Sequence, residues 1–269
     1  MVDFPDPETD TGFDYDRGEG GMPERTRRAF QAHADQELDG RPADAHAEIE
    51  RVYETTPDAV VAVSGGKDSM TTLALAADSD AEHSALHFDW GRRFIPREVE
   101  RDIVANIREF VPDERFFVAS YERAKFERYP ENSHFQRNLR GEPGGEEYEG
   151  VDAYAGALHH CDEIGTQIVG LRRGESGKRE RKLDGLYGES LGLRAAFPLR
   201  AWSARDVWAY IVDRDVPYPN HYDRIAATIG DGGPRAYERA RFTTFFDTEF
   251  EEIGGAAMGV AEWRNRDLQ

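Results

Sequence analysis

The chain predicts an α/β fold: a doubly wound, mainly parallel sheet with flanking helices, N-terminal helices ahead of it and a helical C-terminal region behind. Three observations predict it. Short apolar runs at 59–63, 84–88, 115–119 and 166–170 have the length and composition of buried strands. Segments of helical period at about 69–77, 96–110 and 151–164 alternate with them, and that alternation builds parallel sheets. The length, 269 residues, suits one large domain with appendages.

Each element has a local reason. Residues 1–22 are rich in Asp, Glu, Gly and Pro and read as a disordered acidic N-terminus. Amphipathic helices over 23–38 and 43–54 make 23–57 a helical N-terminal extension. The sheet-bearing domain covers 58–226, and 227–269 is the helical C-terminal region. Within the domain, 120–150 breaks the rhythm with Pro130, Gly141, Pro143, Gly144 and Gly145. It reads as a surface insertion, with a substrate lid as the alternative. Ser203 followed by Asp206 is a variant capping box, opening a helix whose buried face carries Val207, Trp208 and Ile211.

Composition excludes several function classes. Net charge is −19, from 34 basic and 53 acidic residues. Of the basic residues only Lys67, Lys125, Lys178 and Lys182 are lysines. An acidic surface nearly without lysine reads as adaptation to a salty cytoplasm, and it leaves no general nucleic-acid surface. Cys161 is the only cysteine, so intramolecular disulfides, Cys-rich zinc sites and a four-Cys iron–sulfur cluster are excluded within one chain. It falls in the last turn of the predicted 151–164 helix, where the dipole disfavours a thiolate, and reads as structural. The acidic first residues lack an apolar core, and no apolar stretch approaches the roughly 20 residues of a membrane span. The expectation is a cytoplasmic protein with no membrane partner, free to form a homo-oligomer.

The chemistry concentrates where strands end. After the first strand come Ser64, Gly65, Gly66, Lys67, Asp68 and Ser69, a Gly-Gly turn leading into a helix start. Such a turn aims successive N–H groups at an anion, the helix adds its positive end, and Lys67 adds a full charge. The common P-loop spacing is absent, because Val61 and Asp68 stand where it needs Gly and Ser or Thr. The second strand ends in Asp89, followed by Trp90 and Gly91. A carboxylate there can accept from a ribose or adenine edge, though Asp-x-Gly is also ordinary turn chemistry. The fourth strand ends in Arg172 and Arg173, with Ser176, Lys178 and Arg179 close behind. Arginine forks among glycines suit phosphate or sulfate.

These blocks, with Pro198, Leu199, Trp202, Asp206, Val207, Trp208, Pro217, Tyr218, Tyr222 and Asp223, occur in the order of the phosphoadenosine phosphosulfate (PAPS) reductase family. The 64–69 stretch resembles the PP-loop of the wider ATP pyrophosphatase, or adenine nucleotide α-hydrolase, superfamily. The resemblance covers about 59–223. It implies that Ser64, Gly65, Gly66, Lys67, Asp68, Ser69 and Ser176 hold phosphates or sulfate and that Asp89 and Gly91 flank the nucleoside. Arg172, Arg173 and Arg179 then join Lys67 in binding and neutralising anionic groups. It also implies ATP or a sulfonucleotide as ligand; adenylyl transfer from ATP would bring Mg²⁺, with Asp68 as a candidate magnesium ligand, and the single cysteine leaves no iron–sulfur cluster expected.

The sequence departs from the reductases of this family at two places. They attack sulfur with a cysteine near the C-terminus, and no residue after Cys161 is a cysteine. Trp90 also stands where they carry Thr. Adenylyl transfer to a sulfate or carbonyl acceptor therefore leads as the expected reaction. Sulfonucleotide reduction and a non-catalytic nucleotide-binding module follow, with RNA thiolation behind them.

Overall fold

The computed structural model describes residues 21–89, 97–120, 166–175, 177–190 and 193–240. The segment 1–20, nearly all of the 120–150 insertion, the expected 151–164 helix with Cys161, and 241–269 lie outside the described residues.

Helices α1 (Glu24–Glu37) and α2 (Arg41–Thr55) precede strand β1 (Val60–Val63), helix α3 (Lys67–Ala77), β2 (Ser84–Asp89) and α4 (Arg97–Arg108). Then come β3 (Phe116–Ser120), β4 (Gln167–Val169), a 3₁₀ turn (Arg173–Glu175), α5 (Gly177–Lys182), β5 (Tyr187–Ser190) and β6 (Leu193–Ala196). Helices α6 (Ala204–Asp213), α7 (His221–Ile229) and α8 (Pro234–Arg239) complete the set.

The sheet has the order β3-β2-β1-β4-β6-β5. Every neighbouring pair is parallel except β5 with β6. From β1 the chain steps outward through β2 and β3, and β4 then pairs with the opposite edge of β1. That reversal between β1 and β4 is the topological switch point, where a crevice opens beyond the carboxyl ends of the strands.

The four expected strands are present, and a hairpin joins them. β5 and β6 pair antiparallel, Tyr187 with Ala196 through Ser190 with Leu193. Sequence pattern conceals them because β5 alternates exposed and half-buried residues around Gly188, and β6 is alanine-rich, which depresses strand propensity. Helix α3 also begins two residues before the expected Ser69, with Gly66 at its N-cap.

One aromatic cluster fastens the helices to the sheet. Trp208 on α6 is fully buried and meets Tyr218, Tyr222 and Tyr237 edge-on at 5.1, 5.3 and 5.1 Å. Its indole Nε1 donates to the Tyr237 carbonyl at 2.8 Å. Phe30 of α1 stacks on it at 6.1 Å, so the helices expected as an extension contribute Phe30, Ile49 and Val52 to the common core.

The expected capping box at the start of α6 is present, with Ser203 accepting from Asp206 N and Asp206 accepting from Ser203 N. Asp206 does more than cap. His33 of α1 contacts its Oδ1 at 2.8 Å, and Arg41 at the start of α2 donates to its Oδ2. Burial pushes the Asp206 carboxyl up, but the hydrogen bonds from His33 and Ser203 and the Arg41 charge outweigh this and hold it below its ordinary value. Asp206→Asn removes the charge that three elements share. It is expected to lower unfolding stability by about 3 kcal/mol, read as a lower urea midpoint at unchanged slope. A depressed carboxyl contributes stability above its unfolded value and loses it as pH falls, so the gap between wild type and variant should close below the ordinary 3.8.

Candidate functional site

The site is built where β1 and β4 end side by side. Leaving Val63, the chain turns through Gly65 at φ +81°, and a Cβ there would lie 2.5 Å from the Ile103 side chain of α4. Backbone conformation and space both demand glycine at this position. Ser69 folds back, donating to the Gly66 carbonyl at 2.9 Å and accepting from Ser64 N at 3.2 Å. Gly66 N reaches Ser64 Oγ at 3.4 Å, and Lys67 N donates to Tyr222 OH at 3.1 Å. Three amides expected to converge on an anion are thus held by hydroxyls of the protein itself. The loop is preformed, and its charge is carried by side chains.

Lys67 is 3% exposed, with Nζ 2.9 Å from Asp68 Oδ2 and 5.6 Å from the centre of the Tyr222 ring. Arg172, 5% exposed, leaves the end of β4 and donates from Nε to the other oxygen of Asp68. Two nearly buried cations from opposite sides of the switch point therefore share one carboxylate. Burial raises the Asp68 carboxyl, but Lys67 and Arg172 prevail and hold it below its ordinary value, so it stays ionised. Burial, reinforced by the negative Asp68, pushes the Tyr222 phenol well up and keeps it protonated. Gly170 lets the two loops meet, because a Cβ on it would stand 2.5 Å from the Asp68 carbonyl oxygen.

The remaining predicted residues divide. Arg179 on α5 pairs with Glu175, which also accepts from Arg172 N at 3.2 Å, so it joins the rim of the cluster. Arg173 does not join it, since Nε and one terminal nitrogen donate to the carbonyls of Leu183 and Asp184. Asp89 ends β2 on the same rim, two residues beyond the pairing of His87 with Val63. Gly91 and Ser176 lie outside the described residues. Asp68, expected as a magnesium ligand, has both oxygens engaged by cations, and no group of three His, Cys, Asp or Glu able to hold a metal occurs among the described residues.

Two contributors escaped the sequence reading. Tyr222, named from sequence only among the family blocks, seats the Lys67 amide with its hydroxyl. His87 and Glu100, both fully buried, lie directly behind the loop. His87 Nδ1 donates to the Val63 carbonyl at 2.8 Å, and Nε2 lies 2.6 Å from Glu100 Oε1. A histidine inside an apolar strand was the available signal.

The phosphoadenosine phosphosulfate reductase domain matches residues 58–234, well over half of the chain. The chain belongs to the PAPS reductase domain family. A phosphoadenosine 5'-phosphosulfate reductase of Xanthomonas euvesicatoria pv. vesicatoria is 36% identical over 70 residues, covering 26% of this chain and 28% of that one. The chain thus covers little more than a quarter of that relative. Among solved structures, the PAPS reductase of Candida auris in its phosphate complex aligns with TM-score 0.48 at 13% identity, over 76% of this chain and 94% of the other. The FMN adenylyltransferase of Candida glabrata with FAD and inorganic pyrophosphate aligns with TM-score 0.49 at 9% identity, over 74% and 67%.

In this family member the loop tolerates no side chain at residue 65. Gly65→Ala combines a left-handed backbone with a collision against Ile103. It is expected to cost about 2–4 kcal/mol in urea unfolding. A loss below about 0.5 kcal/mol would mean that the loop shifts freely away from α4.

Proposed function

We propose that the chain binds an adenine nucleotide with its phosphates against Lys67 and Arg172 and catalyses adenylyl transfer with release of pyrophosphate. The observation that carries the phosphate half is the convergence of these two cations on Asp68 at the switch point. Membership of the PAPS reductase domain family supports the adenine half. On this reading the 64–69 loop is a PP-loop and Asp68 is the internal counter-ion that keeps Lys67 and Arg172 in place. Phosphate oxygens then exchange with the carboxylate as partners of the same two cations.

In the reaction an acceptor oxygen attacks the α-phosphorus. The bond from that phosphorus to its bridging oxygen breaks, and pyrophosphate leaves with the electron pair. Lys67 and Arg172 neutralise charge on the phosphate oxygens, with Arg179 at the rim, so catalysis is positioning plus electrostatics. Magnesium accompanying ATP would supply further charge neutralisation. Asp68 does not fit as its ligand while both oxygens accept from cations, so phosphates and water would hold it. A sulfate or carbonyl oxygen is the acceptor.

The names of the relatives favour a second reading, sulfonucleotide reduction. That chemistry needs a thiol, and residues 162–269 contain no cysteine. Adenylyl transfer leads for that reason.

Pyrophosphate release from ATP should be measured across sulfate and carboxylate acceptors. Lys67→Ala is expected to lower it at least about 100-fold, and release indifferent to Lys67 would refute the reading. In a thermal-shift panel, ATP should stabilise more than adenylyl sulfate or PAPS; preference for PAPS would support reduction instead. Asp68→Asn leaves two buried cations without their counter-ion, so the ligand-free protein should lose about 3 kcal/mol of stability. Its stabilisation by ATP should exceed that of wild type and still depend on magnesium. Loss of the magnesium dependence would make Asp68 a metal ligand after all.

A further inference from the structure

We propose a second anion site, for a small oligophosphate, in the arginine-lined pocket at the far end of α7. The pocket has a volume of about 520 Å³ and draws its lining from α1, α6, the α7–α8 turn and α8. Arg25, Arg205, Arg235 and Arg239 line it, and Asp231 is the one acidic residue of the lining. No residue of the 64–69 loop lines it, nor does Arg172. Tyr222, which touches Lys67, and Ile229, which lines the pocket, stand at opposite ends of α7, roughly 10 Å apart at 1.5 Å per residue.

That arginine is used carries little weight, since most basic residues of this chain are arginines. Convergence carries the weight. A chain of net charge −19 has acids to spare for neutralising exposed cations, and among the described residues a surplus of cations remains here. Arg25 is tethered to Asp231 at 2.9 Å and Arg205 lies 3.7 Å from Glu238. Arg235 and Arg239 form no ion pair among the described residues. Arg25 is thus held at the rim, and the two arginines on α8, without a carboxylate partner among the described residues, offer their donor forks to a multiply charged ligand. Such forks match the oxygens of phosphate, and the volume suits a di- or triphosphate group.

Inorganic pyrophosphate and tripolyphosphate serve as probes in calorimetric titrations of wild type, the Arg235→Ala/Arg239→Ala double variant and Lys67→Ala. The double variant should lose one binding equivalent relative to wild type, or weaken it at least tenfold. Lys67→Ala should retain that equivalent, so the result does not depend on whether the loop binds phosphate. Both arginines are exposed, and the double variant should unfold like wild type. An isotherm unchanged by the double substitution overturns the site. Binding of a short RNA through Arg235 and Arg239, with no response to either inorganic probe, overturns the assignment to a small ligand and makes the pocket a nucleic-acid contact.

Discussion

The shared carboxylate of Asp68 is the constraint on which the site depends. It belongs to the first turn of α3, Lys67 is its chain neighbour, and Arg172 arrives from a strand 104 residues further on. Two cations this close would repel and draw in water if nothing stood between them. With Asp68 between them both stay nearly buried, and the ends of β1 and β4 are pinned together. Gly170 is the geometric condition for that pairing, since any larger residue would push β4 away from the Asp68 backbone. Charge and close packing are therefore one arrangement.

Behind this pair the fold is organised to keep the loop still. Tyr222 seats the Lys67 amide from one side, and Tyr222 is itself held edge-on by Trp208. Trp208 packs against Phe30 from the N-terminal helices. On the opposite face, His87 holds the last carbonyl of β1 and Ile103 fills the space under Gly65. A loop clamped on both faces has little freedom left to lose when a ligand arrives, which is the structural meaning of electrostatic preorganisation.

The sequence carried the architecture better than the contacts. Alternating apolar runs located four strands, because a parallel strand buried on both faces must be apolar throughout. The capping box at Ser203 was legible because it is local, spanning four residues. The β5–β6 hairpin was not, since its identity comes from pairing with each other and with β4 rather than from its own side chains. At the site, residue types were legible and partners were not. Lys67 and Arg172 were selected as cations near strand ends, yet nothing local distinguishes Arg172, which meets Asp68, from Arg173, which caps carbonyls beyond α5. Both lie beyond the end of β4, Arg173 opening a 3₁₀ turn, and only the packed structure decides which one faces the loop.

That difference bears on how an acidic chain binds an anion at all. Long-range repulsion from a charge of −19 opposes any phosphate, so attraction has to come from cations at contact distance. An exposed cation stays open to nearby acids and to salt screening, which weaken its long-range pull. Burying Lys67 and Arg172 beside Asp68 avoids both, because the two cations sit in a region that screening hardly reaches. On the proposed function, an incoming phosphate oxygen replaces the carboxylate as partner of cations whose desolvation has already been met during folding.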